Sequence, residues 1–207
     1  VSGRTVSHNL GSVPGMIIVK NATDSGENWV VYHRGVDGSS PEDYGMRLNG
    51  TNARVDESSY WNDTAPTSSA FSVGNSGNTN SNGKTFVGYL FGHDTSSNGM
   101  IYCGSYTGTG SNATVPHGLG VAPKVFMIKR LDSSGDWRMF TEMTGNESQL
   151  SLSQNSAADS GNTTMWNSTS PTSTTFAFGT HGNVNTSSGT YVAYCFVEKR
   201  GFSKFGK

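Results

Sequence analysis

"TFVGYLF" at Thr85–Phe91 alternates its side chains with a period of two, not 3.6. In an extended chain Thr85, Val87, Tyr89 and Phe91 point one way, and Phe86, Gly88 and Leu90 the other. The string returns as "TYVAYCF" at Thr190–Phe196. Its first face is unchanged (Thr190, Val192, Tyr194, Phe196), while its second becomes Tyr191, Ala193 and Cys195. Both faces are largely apolar, so the stretch reads as a central strand buried on both sides. The shared face is expected to look into the core.

The return of this string belongs to a repeat that covers the chain. "TVSHNLGSVPGMIIVK" (Thr5–Lys20) returns as "TVPHGLGVAPKVFMIK" (Thr114–Lys129), with seven of sixteen positions identical. "SGENW" (Ser25–Trp29) returns as "SGDW" (Ser134–Trp137), and "WNDTAPTSSAFSVG" (Trp61–Gly74) as "WNSTSPTSTTFAFG" (Trp166–Gly179). From Trp61 to Phe91 the spacing holds without a gap, and 15 of 31 positions are identical. The offset falls from 109 to 105 along the chain, so small deletions separate the matched blocks. Two copies of one domain follow, expected at residues 1–103 and 104–207, with a boundary strand at about 102–110 that the copies could share. Val1 aligns with Gly110 and Lys207 with Tyr102, so the 207 residues are expected to be an excerpt from a longer array.

Further strands are expected in copy one at Gly15–Lys20, Trp29–His33, Gly45–Leu48, Ala53–Val55, Ser69–Val73 and Met100–Tyr106. In copy two they are expected at Lys124–Arg130, Trp137–Thr141, Gln149–Leu152, Thr163–Met165, Thr174–Phe178 and Phe202–Phe205. These runs are short, rich in β-branched and aromatic residues, and bounded by Gly, Asn, Asp and Ser. No window combines helical periodicity with caps. The fold class expected is all-β: two tandem homologous antiparallel β-sandwich domains, jelly-roll-like.

Composition narrows the function. Charged residues are 14% of the 207, below the usual quarter or so, which argues against charge-driven disorder. Net charge is −1 with no cationic block, poor material for a nucleic-acid surface. The longest apolar runs are a few residues, far short of the ~20 a membrane-spanning helix needs. Cys103 and Cys195 fall at unmatched places in the repeat and form no CxxC pair. Both are expected to be reduced, with a single bridge left open.

His8 and His117 stand at equal places before Leu-Gly, but neither has a second ligand at metal spacing. A His capping the turn by hydrogen bonding is the expected role. The four tryptophans pair as Trp29 with Trp137 and Trp61 with Trp166. Residues retained in both copies point to core packing, although "WN-x-T-x-PT" also resembles a strand end entering a loop, where an indole could stack on a sugar. The stretch Asp37–Tyr44 has no close counterpart in copy two, and a loop that differs between copies suits a copy-specific contact. Candidate receptor or glycan contacts are therefore Asp37, Asp43, Tyr44, Trp61 and Trp166. No catalytic signature is present, and no catalytic, cofactor or metal residue is assigned. The oxygen-rich loops match neither Ca²⁺ pattern tested against them, the EF-hand and the nonapeptide repeat.

Taken together, "TVPHGLGVAPKVFMIK", "SGDW", "WN-x-T-x-PTSTTF" and "N-x-SSGTYVAYCFVEKRGFSKFG" resemble a repeated domain of bacteriophage tail fibres and appendages, many of them marine. Copy one departs at its end, where "GHDTSSNGMIYCG" replaces "VEKRGFSKFG". The resemblance supplies no functional residues. It implies a non-enzymatic virion structural protein, assembled in the bacterial cytoplasm and exposed outside. Such fibres are commonly homotrimers that join other virion proteins and meet host surface glycans or proteins. No nucleic-acid partner and no membrane insertion are expected. The alternative is a pair of carbohydrate-binding modules. A capsid decoration protein and a glycan-degrading enzyme stand further off, the latter because it would need clustered carboxylates.

Overall fold

The structure is a computed structural model that describes residues 3–96 and 99–206. Val1 and Lys207, which mark the ends of the repeat alignment, lie outside the described residues. The chain divides into unit 1, Val1–His93, and unit 2, Asp94–Lys207. The division falls earlier than the expected 103/104 boundary, and the strand after it goes to unit 2.

Unit 1 runs β1 (Arg4–Ser7), β2 (Pro14–Asn21), β3 (Trp29–His33), a 3-10 turn at Pro41–Asp43, β4 (Tyr44–Arg47), β5 (Val55–Asp56), α1 (Ser58–Trp61), β6 (Ala70–Val73) and β7 (Phe86–Gly92). Its larger sheet has the order β5-β4-β3-β2-β7, and β1 pairs with β6 in a second, two-stranded sheet. Every pairing is antiparallel. The two sheets enclose a core of Ile17, Val19, Val30 and Tyr32 from the larger one and Phe71 and Val73 from β6. Tyr60 and Trp61 of α1 complete it. Tyr32 and Trp61 meet edge to face, with ring centroids 5.9 Å apart.

Unit 2 begins with β8 (Ile101–Thr107) and continues through β9 (Ala113–Pro116), β10 (Val125–Arg130), β11 (Arg138–Thr141), β12 (Ser148–Ser151), β13 (Asp159–Ser160), β14 (Thr175–Phe178), α2 (Gly182–Asn185) and β15 (Thr190–Phe196). The sheet order is β13-β12-β11-β10-β15-β8, with β9 and β14 forming the small sheet. The repeat is preserved in register. Ile17 opposes Leu90 in unit 1, and the matching Phe126 opposes Cys195 in unit 2. The core of unit 2 is heavily aromatic: Phe126, Phe140, Trp166, Phe176, Phe178 and Tyr191 are all buried.

Most expected strands are present, Trp29–His33 and Thr190–Phe196 at the limits expected. Others differ. Thr163–Met165 is a turn and Phe202–Phe205 is not a strand; only a bridge between Lys199 and Ser203 forms there. Phe202 is exposed, so little apolar burial rewards its extension. The core-facing side of the quoted strand is also the reverse of that expected. Tyr191, Ala193 and Cys195 enter the core of unit 2, as Phe86 and Leu90 pack on the core of unit 1. With both faces apolar, alternation separates the faces but does not orient them. Central burial holds for β15, where Tyr191–Cys195 are all fully buried, but β7 is an edge strand with Val87 and Tyr89 exposed.

The cysteines are both free and buried. Cys103 opposes Tyr194 and Cys195 opposes Tyr102, so on adjacent strands the two thiols point to opposite faces and do not meet as a disulfide requires.

Candidate functional site

The repeated strings build the same local structures in both units. In the first, Leu10 N–H donates to His8 Nδ1 at 3.2 Å, and Leu119 N–H to His117 Nδ1 at 3.2 Å. Each imidazole caps its turn, as expected. His117 Nε2 also lies 3.2 Å from the Thr172 carbonyl, and burial holds its pKa below the usual histidine value.

The "WN-x-T-x-PT" string is a turn scaffold. Asn62 and Asn167 take the left-handed backbone conformation, φ 58° and 53°, which Asn tolerates. Thr64 Oγ1 donates to the Asn62 carbonyl at 2.7 Å, and Thr169 Oγ1 to that of Asn167 at 2.8 Å. Thr67 and Thr172 then close the next turn: Ala70 N–H donates to Thr67 Oγ1 and Thr175 N–H to Thr172 Oγ1, each at 3.0 Å. Gly74 and Gly179 bring the following backbone against the preceding segment. Asn80 Nδ2 donates to the Gly74 carbonyl and Asn185 Nδ2 to that of Gly179, each at 2.7 Å.

This geometry moves two of the five candidate contacts inside. Trp61 is 2% exposed and Trp166 is 0% exposed, so neither indole offers a face to a sugar. Trp166 Nε1 donates to the Ser148 carbonyl at 2.9 Å, which satisfies its polar end within the core. The core reading of these residues holds and the contact reading is withdrawn.

The other three candidates come together. The β3–β4 connection has ten residues, 34–43, against six, 142–147, in unit 2. Asp37 Oδ1 accepts from Ser39 and Ser40 N–H at 3.0 and 3.2 Å, forming a tight Asx turn. Those amides, joined by Arg54, hold the Asp37 carboxyl below its usual pKa. Arg54 pairs with Asp37 Oδ2 at 3.0 Å and also donates to the Val36 carbonyl. Its guanidinium stands 4.3 Å from the centre of the Tyr44 ring. Asp43 is raised above the ordinary carboxylate value, first by partial desolvation and then by Asp63, Glu42, Asp56 and Asp37. The result is a half-exposed polar surface, with hydrogen-bond acceptors on Asp37 and Asp43 and a cation-covered ring at Tyr44. Sequence reasoning missed Arg54, because its clamp joins residues 17 and 18 positions apart in sequence. Among the described residues no group of three or more His, Cys, Asp or Glu is placed to hold a metal ion.

A second feature had no signal in one-dimensional sequence. Unit 1 contains a cleft of about 460 Å³ beside β7, lined by Val6, Phe71, Val73, Phe86, Gly88 and Leu90 among others. In unit 2 the matching positions are Val115, Phe176, Phe178, Tyr191, Ala193 and Cys195, and the space between them is filled by Tyr106 of β8. The Tyr106 ring stacks on Phe178 at 4.6 Å and Tyr191 at 5.0 Å, and its hydroxyl donates to the Val184 carbonyl at 2.7 Å.

A family model described as a domain of unknown function, DUF7483, matches residues 1–100 and again residues 101–207. No curated protein and no solved structure matches the chain.

Proposed function

We propose that this chain, which belongs to the DUF7483 family and carries its domain twice, is a non-enzymatic structural segment of a bacteriophage tail fibre or related appendage. Its task on this reading is extension and display. The observation that supports it is how the repeated residues are used: His8/His117, Asn62/Asn167, Thr67/Thr172, Gly74/Gly179 and Trp61/Trp166 all serve turns or cores in both units. A duplicated binding site would instead duplicate exposed chemistry. The carbohydrate-binding alternative loses its two indole platforms. It retains only the loop with Asp37, Asp43 and Tyr44, which unit 2 does not repeat.

On this proposal the chain assembles with copies of itself and with other virion proteins, and the Asp37–Tyr44 loop is the place for any contact with a host surface. Linked modules would gain avidity from weak contacts. Immunogold labelling of phage particles that encode the chain tests it. Label on fibres or appendages is expected; label confined to capsids, or absent from particles, overturns the reading. Strong and specific binding of the full chain on a glycan array would favour the lectin alternative.

A further inference from the structure

We infer that the open edge of β7 is a docking site for one more β-strand, with an aromatic side chain seated in the unit 1 cleft. The occupant is a strand of the β8 type joined ahead of Arg4, just as β8 stands ahead of β9. The inference goes beyond the proposed function and does not depend on it.

Three observations converge. First, β7 and β15 carry matched strings in the same register, yet β15 has β8 on its outer side while β7 ends its sheet. An uncovered edge presents backbone N–H and C=O groups to any extended partner. Second, Phe71, Val73 and Phe86, which line the cleft beside β7, are the counterparts of Phe176, Phe178 and Tyr191, on which the Tyr106 ring packs in unit 2. Thr79, the counterpart of Val184, which accepts the Tyr106 hydroxyl, lines the cleft too. Third, apolar side chains are uncovered in the same places. Leu119 is 0% exposed in the cluster against which Met100 and Tyr102 of unit 2 pack, whereas its match Leu10 is 36% exposed. Along the core-facing side of β7, Gly88 is exposed where Ala193 is buried, and Leu90 is half-buried where Cys195 is buried.

The chemistry of the donor can be read from β8. It is extended, pairs antiparallel, and places Tyr102 and Tyr106 four residues apart on the core-facing side. Gly104 stands between them, where an added Cβ would come within 2.0 Å of the Tyr102 hydroxyl oxygen. An aromatic–glycine–aromatic alternation is therefore the pattern expected of the occupant. A second copy of the chain is the weaker candidate, because its own Tyr106 is committed to its own core.

The test attaches the ten residues of 100–109, with Ser in place of the cysteine, directly ahead of Val1 in the full chain. Hydrogen exchange by mass spectrometry then compares the β7 and β15 segments. The extension is expected to slow exchange across Phe86–Gly92 by about tenfold or more. Replacing the extension's second aromatic, the match of Tyr106, with Ala should abolish that protection. Adding the same peptide in trans to the unextended chain should protect the same segment, at concentrations set by its affinity, and this arm survives if the fusion fails to fold. Unchanged exchange in both arms, or equal protection by a scrambled peptide, overturns the inference. So does a dimer of the unextended chain in which β7 is already protected.

Discussion

Two glycines show what a single position decides. A Cβ built on Gly74 would lie 2.4 Å from the Ser59 carbonyl oxygen, and one on Gly179 would lie 2.2 Å from that of Thr164. Both obstacles are backbone, so neither can swing aside. Gly74→Ala and Gly179→Ala should each cost about 1–3 kcal/mol or more. Gly38→Ala, which meets nothing within 4 Å, should stay within about 0.5 kcal/mol. Urea melts of the three variants check this. Lys129 makes a second case. It is fully buried, donating from Nζ to the Gly135 carbonyl at 2.9 Å, and burial lowers its pKa to about 8. Between about pH 8 and 10.5 the unfolded chain holds a proton there that the folded chain has released, so this group makes stability rise with pH, by up to about 1.4 kcal/mol per unit. Burial raises the Cys195 thiol and acts in the opposite direction above its ordinary value of 9.0. The measurement is therefore the difference between wild type and Lys129→Met. That difference should grow in favour of wild type from pH 8 to 10, and a flat difference would refute the assignment. The recurrence of Lys at position 20 was visible in sequence, but its partner there, the Glu27 carbonyl at 2.9 Å, was not.

At the scale of elements, alternation and turn residues made most strands legible, because a strand in a sandwich carries its pattern in its own residues. What escaped depends on neighbours. The H-x-L-G-x-x-P string marks a strand ending at β1 and β9, but "RTVS" and "ATVP" are too short and polar to give their bounds or their pairing with β6 and β14. The helices α1 and α2 are single turns, shorter than any window in which a 3.6-residue period can register. Matched strings also met different fates: β7 and β15 share Thr, Val, Tyr and Phe on one face and the same register but not the same burial, because β8 lies beside β15. Amides of Phe86–Gly92 should consequently exchange faster than those of Thr190–Phe196 in the chain as it stands. Tyr106→Ala should remove the stacking that fills unit 2 and cost about 3–5 kcal/mol, the range for a buried aromatic truncated to Ala. Tyr106→Phe, losing only the bond to the Val184 carbonyl, should cost about 0.5–1.5 kcal/mol. Equal losses in the two variants would place the stability in the hydroxyl rather than in the ring.

For the whole molecule, the repeat means that one layout of core and turns is built twice, with a separate hydrophobic cluster in each unit. The duplication was plain in sequence, and so was the suspicion that Asp37–Tyr44 is peculiar to copy one. The fate of the tryptophans was not, because an indole at a strand end looks the same in sequence whether it faces a sugar or a core. The two readings separate cleanly by experiment. Trp61 packs on Tyr32, while Trp166 packs on Phe126 at 4.8 Å and on Phe140 at 6.2 Å. Trp61→Ala should therefore speed hydrogen exchange chiefly in β2 and β3, and Trp166→Ala chiefly in β10 and β11, each at a cost of about 3–5 kcal/mol. The conservative variants Trp61→Phe and Trp166→Phe, if folded, should leave any glycan-array signal unaltered. Asp43→Asn and Tyr44→Ala should alter that signal without loosening either core, since Asp43 ends the connection and Tyr44 opens β4, both half-exposed. A glycan signal lost in the tryptophan-to-phenylalanine variants with exchange unchanged would return the indoles to the binding surface and contradict the packing described above.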